Sequence, residues 1–462
     1  MSGVRVKPKV LSPSATLTRL ALDCALTPAQ VLQLLARREP LPFALSGNWA
    51  GGGAVVGADP LRVAADGDDP FALLDALRSV DAAAPDAVGG GWFGWLGYRL
   101  AARVERVPLN SHRPVALPDF HLAYYDNVLR RTPDGQWWFE ALVTDPRRDA
   151  LQRRHRHLAQ LLAGPGPATA PPPHISALHL SAHDAEHHLE AVAQCRRRIA
   201  AGEIFQANIC LRLHGETEAR ATDLFAAALD RIDPPYGAAF ATPRGGIASL
   251  SPELFLRRRG RHIVTGPIKG TIARDPDPAV AAAALQTLRG SVKDAAEHVM
   301  IVDLMRNDLG RVSEYGSVVA PRLPTAEPHP GLWHLVSHVR GQLRPEVTDA
   351  DVLRATFPPG SVTGAPKVQS LHVIAELERA GREVYTGAVG FASPAAGLEL
   401  NVAIRTLELA DGQVWLGAGG GIVADSDPHT ELEEALTKAR PIAAAVGTTV
   451  DVQRRALVTR AA

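Results

Sequence analysis

The sequence predicts a mixed α+β fold, and three observations point to this class. Apolar residues alternate over 120–125, and aromatic side chains stand among glycines over 89–98, which is typical of half-buried strands. Apolar residues recur at helical spacing over 188–199, whereas 205–213 again has the character of a strand. The N-terminal part is therefore expected to be β-rich, and the rest to mix strands with helices.

Local signals predict further elements in the C-terminal half and one helix before it. They are strands over 254–256 and 262–264 and helices over 147–162, 294–309 and 428–439. Ser181 is expected to cap the helix that contains 188–199. Asp427 is expected to cap the last helix, with Pro428 at its first position.

A proline- and glycine-rich segment divides the chain. Residues 164–173 read GPGPATAPPP, a composition that holds neither a helix nor a sheet ladder. It separates an N-terminal β-rich region, 1–163, from a larger region, 174–445, which a short tail, 446–462, follows. The segment could equally be a linker between domains or a surface loop within one domain.

Composition and charge exclude several classes of protein. The 462 residues carry 49 Lys plus Arg and 49 Asp plus Glu, so nothing in the net charge favours nucleic acid or an anionic membrane as partner. The three cysteines form no CxxC pair and give no disulfide framework. We find neither a signal peptide nor an apolar run long enough to span a membrane. A reduced, cytoplasmic protein is expected.

Two segments could hold catalytic side chains. Glu253 follows Pro252 at the start of a predicted strand, and a proline-fixed turn can hold a general acid. Lys269 lies between Ile268 and Gly270, a setting that can desolvate an amine and leave its lone pair free to attack. On pattern alone, an ordinary turn glutamate and a solvent-exposed loop lysine remain open.

Two predicted helices each carry a pair of acids three residues apart. The pairs are Asp294 with Glu297 and Glu431 with Glu434, and this spacing places each pair on one helical face. Lys438 lies one turn beyond Glu434 on the same face. Carboxylates that converge from two helices suit Mg²⁺, which takes its remaining ligands from water and substrate. Exposed helical acids are the alternative.

A third group of residues could bind an anion. Arg405 ends the strand-like run LELNVAIRT, and Gly419–Gly421 follows the strand-like run VWL. A bidentate arginine beside a nest of backbone amides fits a small dianionic substrate. A buried structural arginine next to a bulged strand is the other interpretation.

Two other patterns carry less weight. Residues 183–187 match the H-x-x-E-H pattern of some zinc peptidases, but a solvated first helical turn explains them and no third ligand is indicated. The glycine clusters at 51–53 and 419–421 lack the strand and helix of a dinucleotide site. The residues alone therefore indicate an enzyme for a small carboxylate, with Mg²⁺ as a candidate cofactor.

Taken in order, a series of motifs over residues 180–442 gives a more specific hypothesis. They are GEIFQANI, SPELFL, GPIKGT, KDAAEHVMIVDLMRNDLGRV, LWHLVSHVRG, FPPGSVTGAPK, YTGAVG, NVAIRT, GAGGGIVADSDP and ELEEALTKA. In this order they resemble the chorismate-binding enzyme family. The N-terminal runs PFALSGNW, GGGWFGWLGY and LPDFHLAYYDNV resemble the same region of its aminodeoxychorismate and anthranilate synthases.

The resemblance implies a fold and a set of roles. The fold is an α/β sandwich in which two large antiparallel sheets pack face to face, with helices outside and the active site between them. Glu253 is implied as the general acid for the departing C4 hydroxyl of chorismate, and His334 as an active-site histidine. The implied Mg²⁺ ligands are Glu297 and Glu434, with Glu431 and Asp294 acting through water. The implied substrate-binding residues are Arg405, Tyr385, Lys438, Gly419, Gly420 and Gly421, with Thr363 and Gly364 lining the pocket.

Two positions choose a reaction within the family that the sequence resembles. Relatives that add water to chorismate carry a lysine base where this chain has Gln206, which cannot act as that base. Anthranilate synthases usually have alanine at the position of Lys269, whereas aminodeoxychorismate synthases have lysine. The resemblance therefore implies amination at C4 to give 4-amino-4-deoxychorismate, through a covalent intermediate on Lys269. That product would feed folate, by way of p-aminobenzoate, or a specialised metabolite.

The source of ammonia lies outside the visible motifs. Cys24, Cys195 and Cys210 lack the setting of a glutaminase nucleophile, so a separate glutamine amidotransferase subunit is expected to supply ammonia. Two rival interpretations remain: component I of an anthranilate synthase, and a non-catalytic binding subunit.

Overall fold

The chain folds as a sandwich of β-sheets covered by helices. The computed structural model describes residues 15–75, 77, 80, 84–115, 117–167, 173–275, 277–290, 292–321, 324–329 and 332–453. Within these ranges, two large sheets are antiparallel in nearly every pairing, and a small third sheet lies apart from them. The predicted α+β sandwich is confirmed.

The N-terminal region forms the first strands and helices along the chain. The strands are β1 (Thr16–Leu22), β2 (Phe43–Gly47), β3 (Gly53–Gly57), β4 (Arg62–Val63), β5 (Gly91–Leu96), β6 (Phe120–Tyr125), β7 (Asn127–Arg131) and β8 (Trp137–Val143). The helices are α1 (Pro28–Ala36), α2 (Pro70–Asp75), α3 (Ala101–Val104) and α4 (Arg148–Leu162). The predicted strands at 89–98 and 120–125 correspond to β5 and β6.

The region after residue 173 forms the remaining elements. The strands are β9 (Leu178–Leu180), β10 (Gln206–Glu216), β11 (Tyr236–Thr242), β12 (Gly245–Ser251), β13 (Leu254–Arg259), β14 (His262–Gly266), β15 (Ile268–Ala273), β16 (Thr325–His329), β17 (Leu332–Val336), β18 (Val339–Gln342), β19 (Gly364–Ala365), β20 (Ala388–Ser393), β21 (Gly397–Val402), β22 (Thr406–Ala410), β23 (Gln413–Ile422) and β24 (Val450–Val452). The helices are α5 (Ala182–Ala200), α6 (Ala221–Ile232), α7 (Pro278–Gly290), α8 (Val292–Gly310), α9 (Asp349–Thr356), α10 (Lys367–Leu377) and α11 (Pro428–Ala445).

Two predicted helix caps are present. The Ser181 hydroxyl accepts a hydrogen bond from the backbone N–H of Asp184 at the start of α5. The Asp427 carboxylate accepts one from the backbone N–H of Thr430, and Pro428 is the first residue of α11. Each cap satisfies a backbone donor that the first helical turn leaves without a partner. Within the described ranges, no helix combines the length and apolar character needed to span a membrane.

The two regions on either side of 164–173 share both large sheets. The first sheet has the order β1-β8-β7-β3-β2-β11-β12-β22-β23-β10-β9-β24, and the second has the order β18-β14-β13-β21-β20-β5-β6-β4. N-terminal β2 pairs with β11, and N-terminal β5 pairs with β20. Of the predicted connector, 168–172 lie outside the described residues. Of the predicted tail, 454–462 do so too, whereas β24 pairs in parallel with β9.

Aromatic side chains fill the space between the large sheets. Phe43 on β2 stacks on Phe93 of β5 with ring centroids 4.4 Å apart, and on Phe240 of β11 at 5.5 Å. The Phe43 ring lies over Gly57 on the neighbouring strand, where a Cβ would approach the ring to 2.4 Å. A fully buried Phe side chain contributes about 1.5–3 kcal/mol through the hydrophobic effect. The face-to-face packing of the two sheets therefore depends on this aromatic layer.

The outer faces of both sheets are covered by helices. Residues of α1, α4, α6 and α11 join strands of the first sheet in one apolar cluster. Residues of α2, α8 and α9 join strands of the second sheet in another. Helices α8 and α11, which carry the predicted metal ligands, are among the helices that pack on the sheets. Their packing therefore places those acids next to the sandwich.

Replacing Phe43 by alanine should lower the free energy of unfolding by about 3–5 kcal/mol, because a large buried side chain leaves a cavity. Phe205, which is 72% exposed, is the matched control. Its replacement by alanine should change the free energy by less than about 0.5 kcal/mol. Urea unfolding followed by fluorescence measures both, and equal effects would contradict the proposed role of the aromatic layer.

Candidate functional site

Strands β10 and β23 pair to form one wall of the candidate site, which we call its floor. The glycine run of β23 lies opposite β10, with Gly419 facing Cys210 and Gly421 facing Asn208. The backbone N–H groups of these two β10 residues donate to the Glu378 carboxylate and the Thr363 carbonyl, not to β23. In an antiparallel ladder only alternate residues exchange hydrogen bonds, so Gly419 and Gly421 direct their backbone groups to the other edge.

That other edge is open because β22 pairs only with the first part of β23, ending at Leu416. The glycines were expected to follow the strand-like run VWL, but they lie within β23 itself. That their backbone amides bind an anion stays a prediction, and the geometry of the strand allows it. Two of the three glycines present their backbone to this edge, and none has a side chain to cover it.

Lys269 lies against Gly419–Gly421, which we call the glycine strip. It is on β15, opposite Leu335 of β17. Its Nζ atom is 3.2 Å from Oε2 of Glu297 on α8, and the two side chains are only 16% and 13% exposed. A Cβ at Gly421 would lie 2.9 Å from the same Nζ atom. The lysine is therefore enclosed and paired, and the alternative of a solvent-exposed loop lysine is wrong.

The Gln206 side chain ends beside the same glycine. A Cβ at Gly421 would lie 2.5 Å from its Nε2 atom. Gln206 is fully buried, and neither amide atom has a hydrogen-bond partner in the described part of the chain. A buried amide without partners is costly unless something else in the site bonds to it. Lys269 and this amide thus converge on one backbone position.

Glu253 is buried next to Lys269. Burial raises the pKa of its carboxyl to about 7, while a hydrogen bond from Ser361, the charge of Lys269, the backbone N–H of Ile268 and the charge of Arg405 all lower it. Desolvation of the charged form outweighs these four favourable contacts. At neutral pH a large fraction of this carboxyl is therefore protonated, which is the state that a general acid needs.

Arg405 faces Glu253 at the start of β22. Its backbone has a positive φ of 51°, which is uncommon for a residue with a side chain. Burial lowers the pKa of its guanidinium, and the charge of Glu253 raises it. Across the described residues the guanidinium has no salt bridge or hydrogen bond, so its donors are available to a ligand. Strain held at such a position is typical of binding sites.

The acids of α11 lie against the other face of the glycine strip. A Cβ at Gly420 would lie 3.2 Å from Oε2 of Glu431 and 3.7 Å from Oε1 of Glu434. Glu431 is buried and accepts a hydrogen bond from Ser426 at 2.6 Å. The Lys438 Nζ atom is 2.8 Å from Oε1 of Glu434 and donates to the Gly419 carbonyl at 3.0 Å. The predicted sharing of one face by these three side chains is therefore observed.

The donor set is chemically suited to a hard divalent cation. Glu297, Glu431 and Glu434 offer only carboxylate oxygens, which Mg²⁺ prefers. Asp294 belongs to α8, but its side chain lies outside the described residues. In the described part of the chain, no group of three His, Cys, Asp or Glu side chains has the arrangement of a complete metal site. A site of one or two carboxylates, completed by water and substrate, remains the prediction.

Three more residues of the predicted pocket are buried around the floor. The Tyr385 ring lies over Gly417, its hydroxyl is 3.7 Å from Cys210 Sγ, and burial raises its pKa well above the ordinary value. The Thr363 hydroxyl donates within its own loop, and its carbonyl accepts from β10. A Cβ at Gly364 would lie 2.2 Å from the Gln206 carbonyl, so only glycine fits there.

His334 and two residues for which no role was predicted, Ser361 and His298, lie near Lys269 or Glu253. His334 is buried on β17, opposite Thr271 of β15. Ser361, which bonds to Glu253, is part of the FPPGSVTGAPK motif, but pattern alone gives it no contact with a glutamate. His298 follows Glu297, and burial together with the charge of Lys269 lowers its pKa to about 4. Their contacts join distant segments, and no local signal indicates them.

A cavity of about 330 Å³ lies beside these residues. Pro252 and Ile268, the neighbours of Glu253 and Lys269, form part of its wall. Arg257, Glu327 and His338 give the wall a polar side. The segments that carry Glu253 and Lys269 therefore also form part of the wall of this cavity.

Comparisons of sequence relate this chain to known proteins. The sequence profile of the family described as "chorismate binding enzyme" matches residues 54–444. Anthranilate synthase component 1 of Streptomyces coelicolor is 36% identical over 451 residues, covering 92% of this chain and 87% of the relative. Aminodeoxychorismate synthase component 1 of Salmonella typhimurium is 37% identical over 380 residues, covering 81% and 82%.

A solved structure agrees over nearly the whole length. Anthranilate synthase component I from Streptococcus pneumoniae TIGR4 superposes with a TM-score of 0.72 at 25% identity, covering 96% of this chain and 95% of that one. The profile, the relatives and the fold are consistent with one another, and the residues around Lys269 lie within the matched range. The chain belongs to the chorismate-binding enzyme family.

Proposed function

We propose that this enzyme aminates chorismate at C4 and forms 4-amino-4-deoxychorismate. The observation that carries the proposal is the enclosed Lys269 amine, which lies against a side-chain-free stretch of backbone and next to a buried acid. A lysine in this position can attack a ring held over the glycines. A protonated Glu253 can donate to the oxygen that departs.

The proposed reaction balances in two displacements. Lys269 Nζ forms a bond to C2 of chorismate, both ring double bonds shift by one position (C1=C2 to C1=C6 and C5=C6 to C4=C5), and the C4–O bond breaks as Glu253 protonates the oxygen, so that water leaves. Ammonia then bonds to C4, both double bonds shift back, and the C2–N bond to Lys269 breaks with its electron pair returning to the lysine nitrogen. The new C4 ammonium gives one proton back to Glu253. Holding both groups next to one substrate replaces two unlikely encounters by positioned steps.

The binding groups suit a dianionic ring. The Arg405 guanidinium and the backbone of Gly419 and Gly421 are the proposed contacts for the carboxylates of chorismate. Tyr385 and Lys438 are proposed to complete this set, and Thr363 and Gly364 to line the pocket. His334 lies near Lys269 on the opposite strand and is proposed as a further active-site group. Gln206 offers amide atoms to the ring or to ammonia.

Mg²⁺ is the proposed cofactor. Glu297 and Glu434 would hold it, with Glu431 and Asp294 acting through water. When bound, it would offset the charge of the ring carboxylate and fix that carboxylate in place.

Ammonia is proposed to come from a partner protein. The curated relatives are named component 1, which implies a second component. We propose that a glutamine amidotransferase subunit takes this role, because the chain offers no cysteine in a suitable setting. Burial raises the pKa of the thiols of Cys195 and Cys210 to about 12, which disfavours the thiolate that glutaminase chemistry requires.

Anthranilate synthesis is the second candidate, since the Streptomyces coelicolor anthranilate synthase covers 92% of the chain. Lys269 favours amination without loss of pyruvate, because the family's anthranilate synthases usually have alanine there. The S. pneumoniae neighbour shows that the fold itself serves anthranilate synthases as well. The chemistry at position 269 therefore decides between the two.

The product of the purified chain tests this directly. With chorismate, Mg²⁺ and an ammonium salt, we expect 4-amino-4-deoxychorismate as the main product by chromatography and mass spectrometry. With glutamine in place of ammonium, no product should form until the amidotransferase subunit is added. Fluorescent anthranilate as the main product, or glutamine use by the chain alone, would contradict the proposal.

Lys269→Ala should lower the rate of amination by about 100-fold or more, the typical effect of removing a positioned catalytic group. Lys269→Arg is the matched control, because it keeps a cation beside Glu297 but removes the nucleophilic amine. Both variants should lack the covalent adduct that mass spectrometry of the acid-quenched wild type detects. Rates near wild type in the arginine variant would show that only the charge is needed.

Glu253 should set the alkaline limb of the pH profile. Its carboxyl is the acid when protonated, and burial raises its pKa to about 7, so kcat/KM should fall as pH rises through about 7. Glu253→Gln keeps the shape but cannot give up a proton, so its rate should be about 100- to 10,000-fold lower. The alkaline limb should disappear in this variant. A limb that persists unchanged would assign the acid to another group.

A further inference from the structure

A buried hydrogen bond lies directly behind the Lys269–Glu297 pair. Nε2 of His298 is 2.6 Å from the hydroxyl of Ser337, and the side chains of both residues are buried. The backbone N–H of Ser337 donates to the Pro267 carbonyl at 3.2 Å. One serine therefore joins helix α8 to the segment that leads into β15. We call this His298–Ser337–Pro267 set the serine junction.

The serine junction closes a ring with the reactive pair. His298 directly follows Glu297 on α8, and Pro267 precedes Lys269 by two residues. Starting from Lys269 Nζ, the path runs to the Glu297 carboxylate, along the peptide to His298, across to Ser337, over to Pro267 and back along β15. Both segments that carry the pair are thus fastened to each other one or two residues away from it.

The ion pair alone cannot fix this geometry. A flexible lysine side chain loses rotamer entropy when it is held in one place, and a mostly buried ion pair also loses the hydration of both charges. The register of β15 is also irregular here, because a bulge lies between Lys269 and Thr271 where they pair with β17. A bulge re-aims the side chains beside it. The direction of Lys269 therefore needs a second constraint.

We propose that His298 and Ser337 are positioning residues that hold the Lys269 amine in its reactive place. His298 and Ser337 are linked to Lys269 through residues next to it. They therefore act by fixing the distance between β15 and α8. The kinetic part of the test below rests on the proposed function, whereas the labelling part does not depend on the reaction.

The first measurement is the rate at which acetic anhydride modifies individual lysines of the full chain, mapped by peptide mass spectrometry. In His298→Leu and Ser337→Ala, Lys269 should be modified about tenfold faster, the change in an equilibrium that one lost buried hydrogen bond typically gives. Ser337→Ala removes one oxygen and keeps the backbone bond to Pro267. It therefore decides the result if the leucine variant does not fold.

Conservative variants and internal references separate positioning from general loosening. Ser337→Thr keeps the hydroxyl, and His298→Gln keeps a donor at a similar reach, so both should restore labelling to near the wild-type rate. Lys367, paired with Asp308, and Lys438, paired with Glu434, are the references in every sample. Unchanged labelling of Lys269 in the alanine and leucine variants would overturn the proposal. So would a parallel rise at all three lysines, because it would indicate a purely structural role.

The kinetic part asks where the effect falls. Loss of the serine junction should lower kcat by about 10- to 100-fold, since a small misplacement of a reacting group has an effect of this size. The KM for chorismate should change little, because Arg405 and the glycines remain in place. A rise in KM with kcat unchanged would overturn the positioning role. If Lys269→Ala retains full activity, the proposed function fails, and the labelling result still decides this inference.

Discussion

The pairing of β10 with β23 is the constraint on which the site depends. It places a row of glycines where a Cβ would collide with Cys210 at Gly419 and with Gln206 at Gly421, and would crowd the α11 acids at Gly420. Among the described residues, no strand pairs with the outer edge of β23 beyond Leu416, because β22 has not begun there. A bare strip of backbone, bordered by an amine, an amide and carboxylates, follows from these two facts. The floor is thus fixed by main-chain hydrogen bonds and does not rely on flexible side chains.

The carboxyl groups around this floor differ in how deeply they are buried and in which cation lies beside them. Glu253, the most deeply buried of the acids beside Lys269, has its pKa raised because desolvation exceeds the help it receives from neighbouring donors and cations. Glu297 shares its charge with Lys269, and Glu434 at the rim shares its charge with Lys438. Burial thus favours the protonated form of Glu253, whereas Glu297 and Glu434 each lie beside a lysine. Such a difference in surroundings is what the proposed combination of an acid catalyst with a cation site would require.

Much of the local structure could be predicted from the sequence, whereas the pairing of segments could not. Helical spacing and caps located α5 and α11, and alternation located β6, because these signals lie within a few residues. The motifs around Lys269 and Glu253 identified residues that the fold brings together. The placement of the glycines inside β23, the orphaned amide of Gln206 and the His298–Ser337 contact depend on register and packing between distant segments. Local patterns do not encode those distances.

The interleaving of the two halves in shared sheets has a consequence for how the polypeptide can be divided. Cutting between residues 163 and 174 and producing the halves apart would strip β2 from β11 and β5 from β20. Each half would then present unpaired, apolar strand edges to solvent, a known route to aggregation. Production of both fragments in the same cell would let the edges find each other during folding. The enzyme is in this sense one cooperative unit whose halves are complementary, not two modules joined by a tether.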